Sequence, residues 1–379
     1  MDIHTLTNRE RFINVMDYKP VDRVPNYEVG VWPQTKDRWS REGLEKRNLH
    51  WDWFTGEEYF SMDAREYISV NFGMSPSFEE EIIEENERHV VFRDTSGRIR
   101  KALKEGSIGS SRTSMDQYLR FPVEDRSDFR NLKKRLIASL GSRYPAQWRE
   151  TMLPRWKNRE HVLVLGRNCS TLGFYWRART WMGTENLSYA WYDKPELLHE
   201  MMEFIADFTM EVARPIIEAV DIDYVFINED MAMKNGPLLS PDIYKKFIFP
   251  HMKRLASYLK SKGIRYVVID SDGSPEPLIP LLLDAGVDAL WPLERASQNT
   301  DPYFLRKKYG RSLRLWGAFD KRELLKGRKA IDKHLAELAP LVEEGGFIPT
   351  VDHTVPPDVS LDDFTYYIVR KMRLLSGQF

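Results

Sequence analysis

The chain has 379 residues, 42% hydrophobic and 30% charged, with 56 Lys and Arg against 57 Asp and Glu for a formal net charge of -1. So balanced a charge gives no electrostatic footing for nucleic acid or an anionic membrane surface, and neither is expected as a partner. One cysteine, Cys169, excludes an internal disulfide and a thiolate-rich zinc site, and no apolar run reaches the roughly 18 residues of a membrane span, so a reducing, cytoplasmic setting is expected.

The opening MDIHTLTNRERF is polar, with no signal-peptide core expected. Thr5 or Thr7 is placed to cap a first helix that runs to Met16 and stops ahead of Pro20. Asp22-Arg23-Val24-Pro25 then starts an extended segment over residues 26–32. Residues 36–60 read as helical and aromatic, residues 67–72 as a second short strand, and residues 125–157 as helical and charged. Between these, residues 79–104 carry HVVFRD and a TSGRIR turn, the pattern of a β-hairpin inserted after the second strand.

From there short apolar runs at 161–166, 224–228, 266–269, 289–292, 313–318 and 347–351 alternate with helical patterns at 195–219, 241–262, 276–285, 303–309 and 330–344. Such alternation signals parallel β/α units, and the two earlier strands bring the count to eight. An open doubly wound sheet more often carries a Gly-rich phosphate loop, which the sequence lacks. A single α/β domain over residues 1–379 is therefore predicted: a (β/α)8 barrel with an N-terminal helical extension and an inserted β-hairpin.

In such a barrel the residues just after the strands face the catalytic mouth. YVFIN runs into Glu229-Asp230, YVVI into Asp270-Ser271-Asp272, ALWPL into Glu294-Arg295, RLWGAF into Asp320 and GFIPTV into Asp352-His353. Five successive strands thus deliver carboxylates, and one imidazole, to one rim. Capping explains some of these, Asp272 and Asp320 above all, because carboxylates stabilise helix N-termini. As a set they suit acid–base catalysis by Glu229, Asp230, Asp272 and His353. Asp270, Asp272 and His353 equally suit a divalent metal such as zinc, since oxygen ligands with one imidazole match it better than copper. The sequence leaves both open. Eleven Trp, 17 Tyr and 19 Phe supply a core and could wall a pocket, with Tyr27 and Trp32 as substrate contacts beside Glu294. Lys234 reads either as a substrate anchor or a salt-bridge partner. Arg177 and Arg179, in FYWRARTWMG, read as an anion clamp or as helix-surface ion pairs. Cys169, after the third strand, reads as facing the mouth or as an inert buried thiol, and His251 and His334 read as surface or packing residues.

The blocks LTNRERFINVMDYKPVDRVP, EDMAMKNGPLLSPDIYKKFIFPHMKRL, DSDGSPEPLIPLLLDAGVDALWPLE, WGAFDKRELLKG and IPTVDHTVPPDVSLDDF resemble the uroporphyrinogen decarboxylase superfamily over almost the whole chain. That resemblance implies the same barrel and a habit of homodimers. It also implies one of two chemistries: cofactor-free decarboxylation of uroporphyrinogen, or methyl transfer involving corrinoid proteins and a thiol, using zinc. The decarboxylases grip their polycarboxylate substrate with an arginine-rich stretch resembling RQAGRY. Here that place reads YEVGVWPQT, with Glu28 and Trp32 and no arginine before Arg38, and the aspartate expected after the second strand corresponds to Asn71 or nothing. His353 does fall at the decarboxylase histidine, in DHT against a pattern like GHG. The thiol methyltransferases carry His-X-Cys where this chain has Asp270-X-Asp272, and a cysteine where it has Asp352-His353. The expectation is a divergent methyltransferase moving a methyl group from a small O- or N-methylated compound to a corrinoid-binding partner protein, with uroporphyrinogen decarboxylase as the alternative.

Overall fold

The computed structural model describes residues 6–45, 53–104, 107–108, 111–112, 116–139, 141–166 and 172–379; Thr5 and Cys169 lie outside them. Thr7 opens helix α1 (Asn8–Met16) by accepting from the Glu10 N–H while the Glu10 carboxylate accepts from the Thr7 N–H, a reciprocal cap. Helix α2 (Pro33–Arg41) starts on a proline, whose missing N–H is no loss at a first position. Strand β1 (Arg65–Tyr67) follows, then β2 (Glu81–Glu85), β3 (His89–Arg93), β4 (Ile99–Leu103) and β5 (Gln117–Arg120). The remaining principal elements are β6 (Val162–Leu165), α3 (Phe174–Met182), α4 (Pro195–Ile217), β7 (Tyr224–Asn228), α5 (Phe249–Ser261), β8 (Tyr266–Asp270), β9 (Ala289–Leu293), β10 (Arg314–Phe319), α6 (Arg328–Glu344), β11 (Phe347–Val351) and α7 (Leu361–Leu375).

Seven strands form one parallel sheet in the order β1-β6-β7-β8-β9-β10-β11. Apart from Glu66 and Tyr67 of β1 and Arg314, every residue of these strands is buried, as expected of parallel strands covered on both faces. Both sheet edges meet the extended segment at residues 26–31. On one side Arg65 of β1 donates to the Glu28 carbonyl (2.7 Å); on the other the Val351 N–H of β11 donates to the Glu28 carboxylate (2.8 Å), and Val31 bridges Val355. The sequence predicts a regular strand here. In the structure the segment pairs by backbone only at isolated bridges, and its hydrogen bonds to β1 and β11 run through side chains, with the Glu28 carboxylate in the place of a ladder carbonyl. Lys371 of α7 reaches in to the same carboxylate at 2.6 Å, with both partners fully buried.

Phe12 of α1 packs against the rings of Tyr27, Tyr224, Tyr266 and Trp316 at centroid distances of 5.4 to 6.3 Å. Tyr224 and Tyr266 are the first residues of β7 and β8, so α1 plugs the sheet at the N-terminal ends of its strands. Part of the aromatic supply is spent at this end of the sheet.

Several elements differ from the sequence expectation. The inserted hairpin is part of a four-stranded antiparallel sheet, β2-β3-β4-β5. The second strand is shorter and earlier than residues 67–72. Among the described residues, only 33–41 and a turn at Glu58–Phe60 are helical in the stretch predicted as helix from 36 to 60, and the 125–157 stretch breaks into Arg126–Lys133, a turn at Gly141–Arg143, Trp148–Thr151 and Leu153–Lys157. Ahead of α5 the helix widens into a π turn at Tyr244–Ile248, because Pro250 has no N–H to give and its ring crowds the preceding turn.

Candidate active site

The C-terminal ends of β7, β8, β9 and β11 open onto a cavity of about 400 Å³, within the size range of small-molecule sites. Its walls include four indoles, Trp32, Trp53, Trp176 and Trp291; its polar residues are Asn228, Asp230, Asp270, Asp272, His353 and Thr354. Trp291 is fixed against Phe226, edge-on at 5.1 Å. The strand-end residues of β7 and β8 converge by register, since Asn228 pairs with Asp270 across the ladder. The Asn228 amide donates to the Asp270 carboxyl, while its own carbonyl oxygen is buried with no partner. Burial pushes the Asp270 carboxyl well above the usual carboxylate range, and the neighbouring charge of Asp272 adds to the rise against the Asn228 hydrogen bond.

His353 Nε2 lies 3.3 Å from Asp272 Oδ2, and its Nδ1 lies 2.8 Å from the Thr354 hydroxyl, which sets the ring. Burial alone would depress the imidazole, but the hydrogen bond and charge of Asp272 outweigh it and the net shift is upward. Glu294 completes a cluster: one donor atom each from Asp272, Glu294 and His353 lies within 4.8 Å of the others. The Gly273 N–H (2.9 Å) holds the Glu294 carboxylate in place. Two ligands of a tetrahedral zinc with bonds of about 2.0–2.1 Å stand roughly 3.4 Å apart, close to the Asp272–His353 spacing of 3.3 Å. The cluster therefore fits a divalent cation. Its third member is Glu294, which sequence reasoning assigned to substrate, and not Asp270, whose carboxyl is turned to Asn228.

Asp230 adopts a left-handed backbone, φ 37°, and is held by an ion pair with Arg179. That kink separates two adjacent acids: Asp230 lines the cavity, and Glu229 goes beneath α3. The fully buried Glu229 carboxylate accepts the N–H groups of Phe174 (2.9 Å) and Tyr175 (2.7 Å) and also that of Trp176, the orphan donors at the start of α3. Only a glycine fits just before them, because a Cβ on Gly173 would sit 1.7 Å from the backbone oxygen of Asn228. The geometry gives Glu229 a clamping role in place of the expected catalytic one.

Burial raises the Glu229 carboxyl to about 7, although the three backbone N–H groups and the Arg177 charge pull it down. Tyr244 also lies close enough to feel its charge. The folded pKa exceeds the ordinary one of 4.5, so the stability this group contributes is complete below pH 4.5 and is lost as pH rises through 7. Thermal unfolding between pH 5 and pH 8 is expected to show that loss, on the order of 3 kcal/mol, relative to Glu229→Gln, in which it is absent. Parallel profiles for the two proteins would refute it.

Other sequence candidates lie away from the cavity. Tyr27 is buried against Phe12 and Arg65. Arg177 is buried too, donating to the Phe72 carbonyl (3.0 Å) and stacked near Phe208, and burial lowers it to about 9. It lines a separate hollow of about 180 Å³ beside Trp176. Lys234 is exposed near the tip of a small hairpin, and Asn71 is exposed, accepting from the Gly73 N–H. Asp320 caps the turn at Lys321–Lys326, as capping predicts, and His334 packs in the core. Asp352 accepts the N–H groups of Arg295 and Lys321 at 3.0 Å each, and burial raises it to about 6. Sequence reasoning missed Asn228, Trp53, Trp176 and Trp291. Asn228 carried a signal, as the last residue of a strand.

A parallel β/α sheet with carboxylates and an imidazole gathered at its strand ends defines a class of barrel-type proteins with a mouth-side pocket. Within that class the match is specific: residues 171–369 match the family model described as Uroporphyrinogen decarboxylase (URO-D), and the chain belongs to that family. No curated protein matches the chain. Among solved structures it shares the fold of a methyltransferase from Methanosarcina mazei, with a TM-score of 0.60 and 16% identity over 97% of this chain and 99% of that one. No helix among the described residues is long and apolar enough to cross a membrane.

Proposed function

We propose that the protein is a methyltransferase that moves a methyl group from a small O- or N-methylated compound to a corrinoid-binding partner protein, in the cytoplasm. The observation that carries this reading is the tryptophan-walled cavity with Asp272 and His353 on its polar side, the two joined to Glu294 in one cluster of candidate ligands. Here the seven-stranded sheet and residues 26–31 act together as a closed (β/α)8 barrel with this cavity as its mouth. The methyltransferase fold neighbour favours the same direction. Uroporphyrinogen decarboxylation is disfavoured: a substrate rich in carboxylates needs cationic contacts, and no Lys or Arg is among the described residues lining the cavity.

The indoles exclude water and enclose the methyl-bearing group. Asp272, Glu294 and His353 would hold a divalent metal such as zinc, which when bound supplies Lewis acidity at the leaving heteroatom. Thr354 and Gly273 orient the ligands. Asp270, held by Asn228 on the same surface, offers a carboxyl that can hydrogen-bond the leaving oxygen or nitrogen. The test is incubation with reduced cobalamin, zinc and a panel of methoxy and methylammonium compounds, following methylcobalamin by absorbance. Its formation from any member supports the reading; none from the whole panel overturns it, and conversion of uroporphyrinogen to coproporphyrinogen replaces it with the decarboxylase.

A further inference from the structure

We infer that the compound taken by this cavity is a small N-methylated cation, a quaternary ammonium, gripped by the indole faces and by oxygen acceptors. The inference rests on reading the cavity as the substrate site. Four tryptophans meet at one hollow, and π faces attract a cation whose charge is spread over methyl groups too weakly hydrated to prefer water. One indole already behaves this way within the protein: the Arg179 guanidinium sits 4.6 Å from the Trp176 ring centre.

The polar groups agree. Asp230, Asp270 and Asp272 present oxygen to the hollow. The imidazole is already engaged with Asp272 on one side and Thr354 on the other. A cavity of acceptors and π faces complements a cation and repels an anion. A neutral ether fills the same volume but leaves the acceptors unanswered. With a quaternary ammonium the departure needs neither a proton nor Lewis acidity at nitrogen, which has no lone pair to offer a metal: the C–N bond breaks, its electron pair stays on nitrogen, and the amine leaves neutral. The methyl group passes to the nucleophilic acceptor of the proposed function.

Binding to the full-length protein, read by tryptophan fluorescence and calorimetry, compares choline with its neutral isostere in which carbon replaces the ammonium nitrogen. Choline is expected to bind about tenfold or more tightly, and Trp32→Leu, at the exposed rim, is expected to weaken choline more than the isostere. Equal affinities, or no binding of choline, overturn the inference. Tighter binding of a neutral methyl ether that also yields methylcobalamin overturns the cation while leaving methyl transfer intact. Tight choline binding with no methyl transferred from any compound upholds the cation site and sinks methyl transfer alone.

Discussion

Zinc titrated into protein carrying His353→Ala, Asp272→Ala or Glu294→Ala is expected to bind more than about 100-fold more weakly than to the parent, beyond the loss typical of removing a mere outer partner. The three side chains come from the ends of different strands and bring their donor atoms within 4.8 Å of one another, so each removal leaves two ligands. Asp270→Asn is expected to retain the metal, because its carboxyl is turned to Asn228 and lies outside the cluster. Turnover in the methyl-transfer assay is expected to fall by roughly 10²–10⁴-fold in the three ligand variants. Calorimetric titration of metal-stripped protein is the direct check. Undiminished zinc binding in His353→Ala would remove the cluster from consideration, and equal loss in Asp270→Asn would restore the ligand set expected from Asp270-X-Asp272.

Lys371→Met is expected to be among the most destabilising single changes in the molecule, on the order of 3–5 kcal/mol. Lys371 Nζ donates to the Glu28 carboxylate and the Tyr27 carbonyl, both at 2.6 Å, and neither charged side chain reaches solvent. Burial pulls the Lys371 ammonium down from its ordinary value, against the attraction of Glu28. Removing the cation strands a buried carboxylate that the Tyr367 hydroxyl (2.7 Å) and the Val351 N–H (2.8 Å) only partly satisfy. The double variant Glu28→Gln with Lys371→Met is expected to recover a large part of the loss, since no uncompensated charge remains. Thermal or urea unfolding of the three proteins decides it; a double variant as unstable as Lys371→Met would place the cause in packing and not in charge.

The rim was legible because two regularities coincide: β/α alternation marks where strands end, and the next residue is where side chains turn to the mouth. Asp230, Asp270, Asp272, Glu294 and His353 were all reached that way. What failed was orientation. Glu229 and Asp230 are adjacent, and only the left-handed turn at Asp230 decides which enters the cavity. Arg177 and Arg179 lie two apart on one helix; one is sealed against Phe72 and Phe208 while the other reaches Asp230. Trp291 sits inside the apolar run ALWPL and reads as core, and Trp53 comes from a stretch with no periodic pattern. The N-terminal closure was hidden for another reason. A buried Glu–Lys pair drawn from residues 28 and 371 leaves no trace in local sequence.

The clamp beneath α3 grips main-chain amides alone. Whatever side chains other than proline stand at positions 174 to 176, the amides are still there to be held, provided position 173 stays a glycine. Trp176 can therefore be exchanged for a smaller or more polar residue without unseating its helix, which makes this position the natural place to retune the pocket toward a different substrate.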